Sequence, residues 1–455
     1  MVTKNDDAVF DAVKLLEIEF SLLDTEGKIC ILKNDNVKLV TQGEGDPTKN
    51  NLNFYVPPHS NIWMYRLLEA SGLPLTEQDM KEATKCFMRG TGTTLYQGLA
   101  FHPNPKNQKA LNLWRGHAVE PIEGDCKIFL DFIFEVLASS SEEKAQYLLK
   151  YLAHAIQFPH EKPEIMLVLI SGQGTGKGSL FTLIRAIWPY TTLLAQDIAE
   201  VLGRFTGSLE RSMWVLMDEA LFTHDKKSSD KLKSFLTEPI LRIEEKFQPA
   251  RTIDSLHRCI AATNHSHFAN IDRDDRRLFI CEVSDIHKQD QEYFKTFHRA
   301  IADGRSVPAF VHYLMNLDIS DFNVRVRPLT AEHAEQKLES LSGINLWWYT
   351  LLHVGTLAAG ESLFGVQPRV WKESMSCTSK ELRAAYLDFD KNAQRYKPVT
   401  DKKFISQIKI LCPSSVSDRW TDNDGHQCRG LTLPTLEVAR EEFEKYMDCK
   451  INWEE

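Results

Sequence analysis

Between Ser171 and Arg277, four short strings carry residue types suited to phosphoryl chemistry. The first is Ser171-Gly-Gln-Gly-Thr-Gly-Lys-Gly-Ser179. Glycines let backbone N–H groups curl around phosphate oxygens, and a helix opening directly after them adds partial positive charge. Gly172, Gln173, Gly174, Thr175, Gly176, Lys177, Gly178 and Ser179 are therefore the expected phosphate-binding residues, with the Lys177 ammonium reaching the β and γ phosphates. The string departs twice from the usual GxxxxGK[ST] pattern. Ser171 stands at the first glycine position, and Gly178 stands where a metal-binding hydroxyl follows the lysine, leaving Ser179 as the nearest hydroxyl for Mg²⁺. A Gly-rich turn that binds no nucleotide is the alternative.

The other three strings supply what a nucleotide hydrolase needs beside such a loop. Ser212-Met-Trp-Val-Leu-Met-Asp-Glu219 ends an apolar run in two carboxylates. Asp218 is placed to hold Mg²⁺ and Glu219 to polarise an attacking water. Cys259-Ile-Ala-Ala-Thr-Asn264 ends in an amide that can hydrogen-bond a γ-phosphate or the water, or simply cap a turn. Asp272-Arg-Asp-Asp-Arg-Arg277 offers Arg276 and Arg277, and further off Arg273, to stabilise charge on a transferring phosphoryl group from a neighbouring subunit. Three aspartates beside three arginines also fit a surface ion network. His265-Ser-His267 lacks further ligands at metal-binding spacing and reads as loop polarity.

These residues must be held by strands. Short apolar runs at Ile165–Ile170, Met213–Met217, Leu241–Phe247, Cys259–Thr263 and Leu278–Val283 alternate with helical stretches. That texture predicts an α/β core with a buried parallel sheet. The expected division is an N-terminal α+β accessory module over 1–122, a helical pair over 123–160 serving as collar or oligomerisation element, the nucleotide-binding core over 161–318, and a helical and winged-helix-like domain over 319–455. Ser139-Ser-Ser141 offers an N-cap to the second helix of the pair. Val324 to Ala331 reads as a linker, Trp347-Trp348 as a core anchor, and helices near 380–390 and 402–411 precede a hairpin around Asn423-Asp-Gly425.

Composition narrows the class. The chain has 455 residues, is 43% hydrophobic and carries a net charge of −9, so it is globular and not basic overall, although a local basic channel remains compatible. No apolar run approaches the roughly 20 residues of a membrane span. The start lacks a signal peptide's apolar core. Nine scattered cysteines without a CxxC pair fit reduced thiols in a cytoplasmic protein.

The order and spacing of Gly172 to Lys177, Asp218-Glu219, Thr263-Asn264 and Arg276-Arg277 resemble superfamily 3 helicases, the AAA+-type ATPases of viruses and mobile elements. The likeness is to the helicase part of phage, plasmid and poxvirus-type primase-helicases in particular. It extends through Tyr96 to Phe101, Leu111 to Trp114, Gln157 to Pro159, Leu341 to Trp348 and Leu431 to Leu436. The resemblance implies ATP and Mg²⁺ as cofactors, ring assembly as a homo-oligomer (usually a hexamer), and 3′→5′ movement on single-stranded DNA during replication of a phage or mobile element in a bacterial host. It also implies a hairpin that grips DNA in the ring's pore. Here that hairpin lies between Asp218 and Asn264, with Lys246, Phe247 and Arg251 as its expected contacts. Residues 391–409 hold six cations against Asp401 alone, and Lys402 and Lys403 are expected to meet duplex or origin DNA. The first 120 or so residues show no clustered carboxylates of the Asp-x-Asp type, so no primase active site is expected in them: either a separate primase or polymerase is a partner, or this chain is the helicase part of a longer protein. The rival function is a DNA-binding oligomeric scaffold with weak or no ATPase activity, such as an origin-binding ring or a defence component.

Overall fold

The computed structural model describes residues 4–25, 27–42, 59–90, 92–196, 198–218, 226–246, 250–264, 275–357, 369–389, 399–421 and 427–453. The chain divides into two units. One runs through residue 268 and resumes over Arg276–Pro328; the other takes residues 269–275 and Leu329–Glu455.

The first unit opens with α1 (Lys4–Glu19), the antiparallel hairpin of β1 (Phe20–Thr25) and β2 (Lys28–Lys33), and helices α2 (Asn34–Gln42), α3 (His59–Ala70) and α4 (Glu77–Arg89). β3 (Leu95–Gln97) then pairs parallel with β1, giving a small sheet in the order β2-β1-β3. Thr76 fixes the start of α4: its hydroxyl accepts from the Asp79 N–H while the Asp79 carboxylate accepts from the Thr76 N–H. Ala12, Leu16, Met64, Leu68 and Phe87 pack between these elements. A short parallel pair, β4 (Leu99–Ala100) and β5 (Leu111–Asn112), follows.

α5 (Lys127–Asp131) runs into a π-helical turn over Phe132–Leu137, and α6 (Glu142–Gln157) returns. Ser141 caps α6 by accepting from the Lys144 N–H. Phe129, Phe132, Tyr147 and Tyr151 of this pair share one core with the strands that come next. The helical pair is thus packed directly on the sheet.

That sheet is built from β6 (Met166–Ile170), β7 (Thr192–Ala195), β8 (Trp214–Met217), β11 (Arg258–Thr263) and β12 (Leu278–Glu282), with the antiparallel hairpin β9 (Ile240–Ile243) and β10 (Arg251–Asp254) lying outside it. The intervening helices are α7 (Lys177–Ile187), α8 (Ala199–Leu202) and α9 (Lys226–Thr237), with a 3-10 turn at Gly207–Arg211; α10 (Gln291–Ala302) and α11 (Ser306–Asn316) follow β12. All five strands are parallel, in the order β12-β6-β11-β8-β7. The chain leaves β6 for the far edge, steps back through β8 to β11 at β6's side, then crosses to β12. Ligands of open α/β sheets bind outside the carboxyl ends of strands where the strand order reverses in this way.

Two expectations shift. The described residues of Leu241–Phe247 do not join the parallel sheet: among them the strand is Ile240–Ile243, it pairs antiparallel with β10, and its exposure alternates. The fifth strand is β7, which is only partly buried and so lacks a fully apolar run. Residues 319–328 stay with the first unit, where Ile319 and Val324 enter its core and the Tyr147 hydroxyl donates to the Val324 carbonyl at 2.8 Å.

The second unit contains α12 (Ala331–Glu339), α13 (Gly343–Val354), the two-residue strands β13 (Thr356–Leu357) and β14 (Arg369–Val370), β15 (Met375–Thr378), α14 (Ser379–Phe389), α15 (Asp401–Leu411), β16 (Val416–Thr421), β17 (Gln427–Leu433) and α16 (Leu436–Met447). β15, β17 and β16 form an antiparallel sheet in that order. Trp347 and Trp348 are buried among Trp371, Tyr386, Phe404 and Phe443, as expected of a core anchor. Among the described residues no helix is long and apolar enough to cross a membrane.

Candidate functional site

Three sequence-predicted elements meet at the carboxyl edge of the parallel sheet. The Gly-rich loop leaves β6 at Ser171 and enters α7 at Lys177; Asp218 follows β8; Asn264 follows β11. β11 lies between β6 and β8, so loop and carboxylate are two strand spacings apart, about 10 Å. That gap is wide enough for a phosphate group and a hydrated ion. Asp218 and Asn264 are both exposed.

The loop's shape follows from its glycines. Gly174 has φ +78° and Gly176 φ +104°, the left-handed region that glycine enters without strain. A Cβ on Gly176 would stand 2.7 Å from the Phe294 ring, so the loop also needs glycine there for contact with α10. The Gln289 N–H donates to the Gly174 carbonyl at 3.0 Å, and the Ser171 N–H donates to the Thr263 carbonyl at 3.2 Å. The loop is thus braced from β11 on one side and from the start of α10 on the other. The Thr175 and Ser171 hydroxyls share a hydrogen bond of 2.5 Å inside it.

Lys177 joins the parts. Its ammonium donates to the Asn264 Oδ1 at 2.6 Å, the Ser171 carbonyl at 2.7 Å and the Ser171 hydroxyl at 3.0 Å, with the Thr263 carbonyl at 3.2 Å. An ammonium has three N–H donors, so these acceptors exceed its capacity and can be exchanged for anionic oxygens. Beside it, the two departures from the usual pattern have distinct consequences. A Cβ on Gly178 would meet open space. Ser179, expected to help hold Mg²⁺, is buried with its Oγ 3.3 Å from the His298 Nε2 of α10. Among the described residues no group of three His, Cys, Asp or Glu side chains is gathered to hold a metal.

Other predicted residues lie elsewhere. Arg276 and Arg277 precede β12, whose first residue is level with Met166 at the start of β6, and the Arg277 carbonyl accepts from the Met166 N–H at 2.8 Å. They sit at the amino edge of the sheet, about five strand residues or ~16 Å from their own chain's loop. Glu219, Phe247, Arg273, His265 and His267 lie outside the described residues.

Arg251 is a correction. Expected to face DNA, it is instead 5% exposed and ion-paired. Its Nε and one terminal nitrogen bond the Glu210 carboxylate, the latter at 2.6 Å, and that nitrogen also reaches Glu245 at 2.9 Å. Burial pushes the Glu210 carboxyl's pKa up, and the bonds from Arg251 oppose that rise. The cluster fastens the β9–β10 hairpin to the 3-10 turn. A Cβ at Gly207 would collide with the Glu245 side chain, which explains a glycine at that contact.

Lys246, by contrast, is exposed, with its ammonium 5.3 Å from the ring centre of Phe205; the Arg204 guanidinium is 5.6 Å from the same ring. Phe205 is 45% exposed. Sequence reasoning overlooked this pair; its signal was Arg204-Phe205 set between Gly203 and Gly207. Lys402 and Lys403 are exposed in the first turn of α15, in the second unit.

A polar chain supports the hairpin from below. The Lys162 ammonium donates to the Phe235 and Glu238 carbonyls at the end of α9 (both 2.7 Å) and to the Ser255 Oγ at 2.6 Å. The Ser255 hydroxyl donates to the His257 Nδ1 at 2.9 Å, and the His257 Nε2 donates to the Leu209 carbonyl at 3.0 Å. Burial lowers the Lys162 pKa to about 8 and that of His257 to about 3.

A family model described as a family of unknown function (DUF5906) matches residues 169–277, the stretch that holds the loop, Asp218, Asn264 and the arginine pair. Among solved structures, the apo structure of the NrS-1 C-terminal region (305–718) is similar at 15% identity and a TM-score of 0.64, covering 94% of this chain and 99% of that one. The A-form apo structure of the same region is similar at 14% identity and a TM-score of 0.63, covering 94% and 100%. At these identities what is shared is the fold. No curated protein matches the chain.

Proposed function

We propose that the protein is an ATP-driven, ring-forming motor on single-stranded DNA that serves replication of a phage or mobile element, with an AAA+-like P-loop core of the superfamily 3 kind. The observation that carries this reading is the meeting of the Gly-rich loop, Lys177 and Asn264 beside the Asp218 strand at the carboxyl edge of the sheet. The fold shared with the NrS-1 C-terminal region agrees with it.

The residues present fit a nucleoside triphosphate. Left-handed glycines shape a loop of backbone donors, and Lys177 exchanges protein oxygens for phosphate oxygens. Asn264 then contacts the terminal phosphate or the water beside it. Glu219, next in sequence to Asp218, takes the water's proton. Mg²⁺, when bound, neutralises charge on the phosphates, and Asp218 is the protein group that would hold it. Ser179, turned to His298, is left with a packing role. Arg276 or Arg277, remote from their own loop, act on the site of a neighbouring subunit, which requires a homo-oligomer.

On the DNA side, Lys246 and Arg204 pair with phosphates around Phe205, which offers a base a stacking face. Phe247, next in sequence to Lys246, is a further expected DNA contact. In the second unit, α14 and α15 followed by the β16–β17 hairpin support a winged-helix-like reading, with Lys402 and Lys403 facing DNA.

A second reading, a DNA-binding scaffold with weak or no ATPase activity, draws support from the missing hydroxyl at Gly178 and the engaged one at Ser179. Hydrolysis of ATP by the wild type and by Glu219→Gln, with and without an oligonucleotide, separates the two. DNA-stimulated turnover that disappears in the variant supports the motor. ATP binding without turnover in the wild type supports the scaffold.

A further inference from the structure

The second unit holds a cavity of about 720 Å³ between α14, α15 and the β16–β17 sheet. Its lining includes Lys380, Arg383, Lys402 and Arg429, with Asp401 as the carboxylate among them. Asp401 is engaged already, its Oδ1 2.8 Å from the Arg383 Nε, and the Arg383 guanidinium also donates to the Val399 carbonyl at 3.1 Å. Among the described residues, Lys380, Lys402 and Arg429 have no carboxylate partner. Arg429 stands directly opposite Arg419 on β16. Like charges at opposed positions of an antiparallel pair share a face and repel, so the sheet carries a liability that an anion would relieve. One wall of the cavity is apolar, formed by Ala384, Leu387 and Ile405.

A recess of this size takes a small ligand, not the flank of a duplex. Cations at one end match phosphate, and an apolar wall beside them matches the face of a base. The geometry points to a second nucleoside-phosphate site, with the phosphate among Lys380, Lys402 and Arg429 and the base along Leu387 and Ile405. It takes either a free nucleotide or an unpaired nucleotide at the end of a strand. It lies in a different unit from the Gly-rich loop and does not depend on that loop binding ATP.

The test uses the full chain carrying Lys177→Ala together with Arg204→Ala and Lys246→Ala, so that neither the loop nor the surface around Phe205 contributes much to binding. A labelled oligothymidylate is titrated by fluorescence anisotropy, with dTMP, ATP and unlabelled oligonucleotides (with and without a 5′ phosphate) as competitors. The probe is expected to bind. Lys380→Glu and Arg429→Glu each weaken it by about tenfold, with a shallower salt dependence. Both side chains are exposed, and an unchanged thermal transition serves as the control for folding. Competition by dTMP or ATP assigns the site to free nucleotides; competition only by oligonucleotides with free ends assigns it to strands. No binding to that triply substituted chain, or equal binding by a chain that also carries both charge reversals, would overturn the proposal. Because the loop is disabled throughout, neither result bears on whether the motor hydrolyses ATP.

Discussion

At the residue scale, Lys177 connects what the account needs connected: loop, strand end and Asn264 amide. Hydrogen bonds to charged groups contribute about 1.5–3 kcal/mol each. Lys177→Ala is therefore expected to weaken ATP binding by about tenfold to a hundredfold in a titration with a fluorescent analogue, while leaving far-UV circular dichroism unchanged. Two neighbouring glycines should behave oppositely. Gly176→Ala puts a methyl against Phe294 at a φ that alanine resists, and is expected to lower the melting temperature and abolish nucleotide binding. Gly178→Ala meets open space within α7 and should stabilise the chain by up to about 1 kcal/mol through helix propensity. The loop could be read from the sequence because its glycines are a local requirement of backbone shape. Arg251 could not. A cation near a turn looks the same whether it faces solvent or a buried acid, and its partner Glu210 is 41 residues away.

At the element scale, the sheet was legible where strands are buried on both faces. β6, β8, β11 and β12 are continuous apolar runs. β7 was not, because an edge strand retains exposed positions, and β9 was misassigned because Ile240–Ile243 is apolar enough to imitate a sheet strand. The hairpin it forms depends on the buried Arg251 cluster. Arg251→Ala, which leaves Glu210 buried without its partner, is expected to cost about 3–5 kcal/mol, read as a lower urea midpoint for the first unit. The same elements set a pH limit. His257 is held to a pKa of about 3 by burial, and His154 to about 3 by burial and then by the charge of Arg258. The unfolded chain protonates these rings near pH 6.5, so between pH 6.5 and 3 it binds more protons and stability falls as pH drops. By pH 5 each histidine should have removed about 2 kcal/mol relative to pH 7, and His257→Gln should flatten that decline in urea titrations at the two pH values.

At the scale of the whole molecule, the question is how many chains make one site. The arginine pair at the amino edge of the sheet is too far from its own loop to act there, so activity should need a partner's arginines. Lys177→Ala chains and Arg276→Ala/Arg277→Ala chains should each be inactive, and mixing them should restore turnover at about a quarter of the interfaces for equal amounts. Mixtures that stay inactive would remove the arginines from the shared site. The central claim is that ATP turnover moves the chain along DNA, and displacement of streptavidin from a biotin-ended oligonucleotide reads that movement most directly. Release is expected with ATP by the wild type, and none with a non-hydrolysable analogue or with Lys177→Ala. Rings that bind both ATP and the oligonucleotide yet release no streptavidin from either end would contradict it.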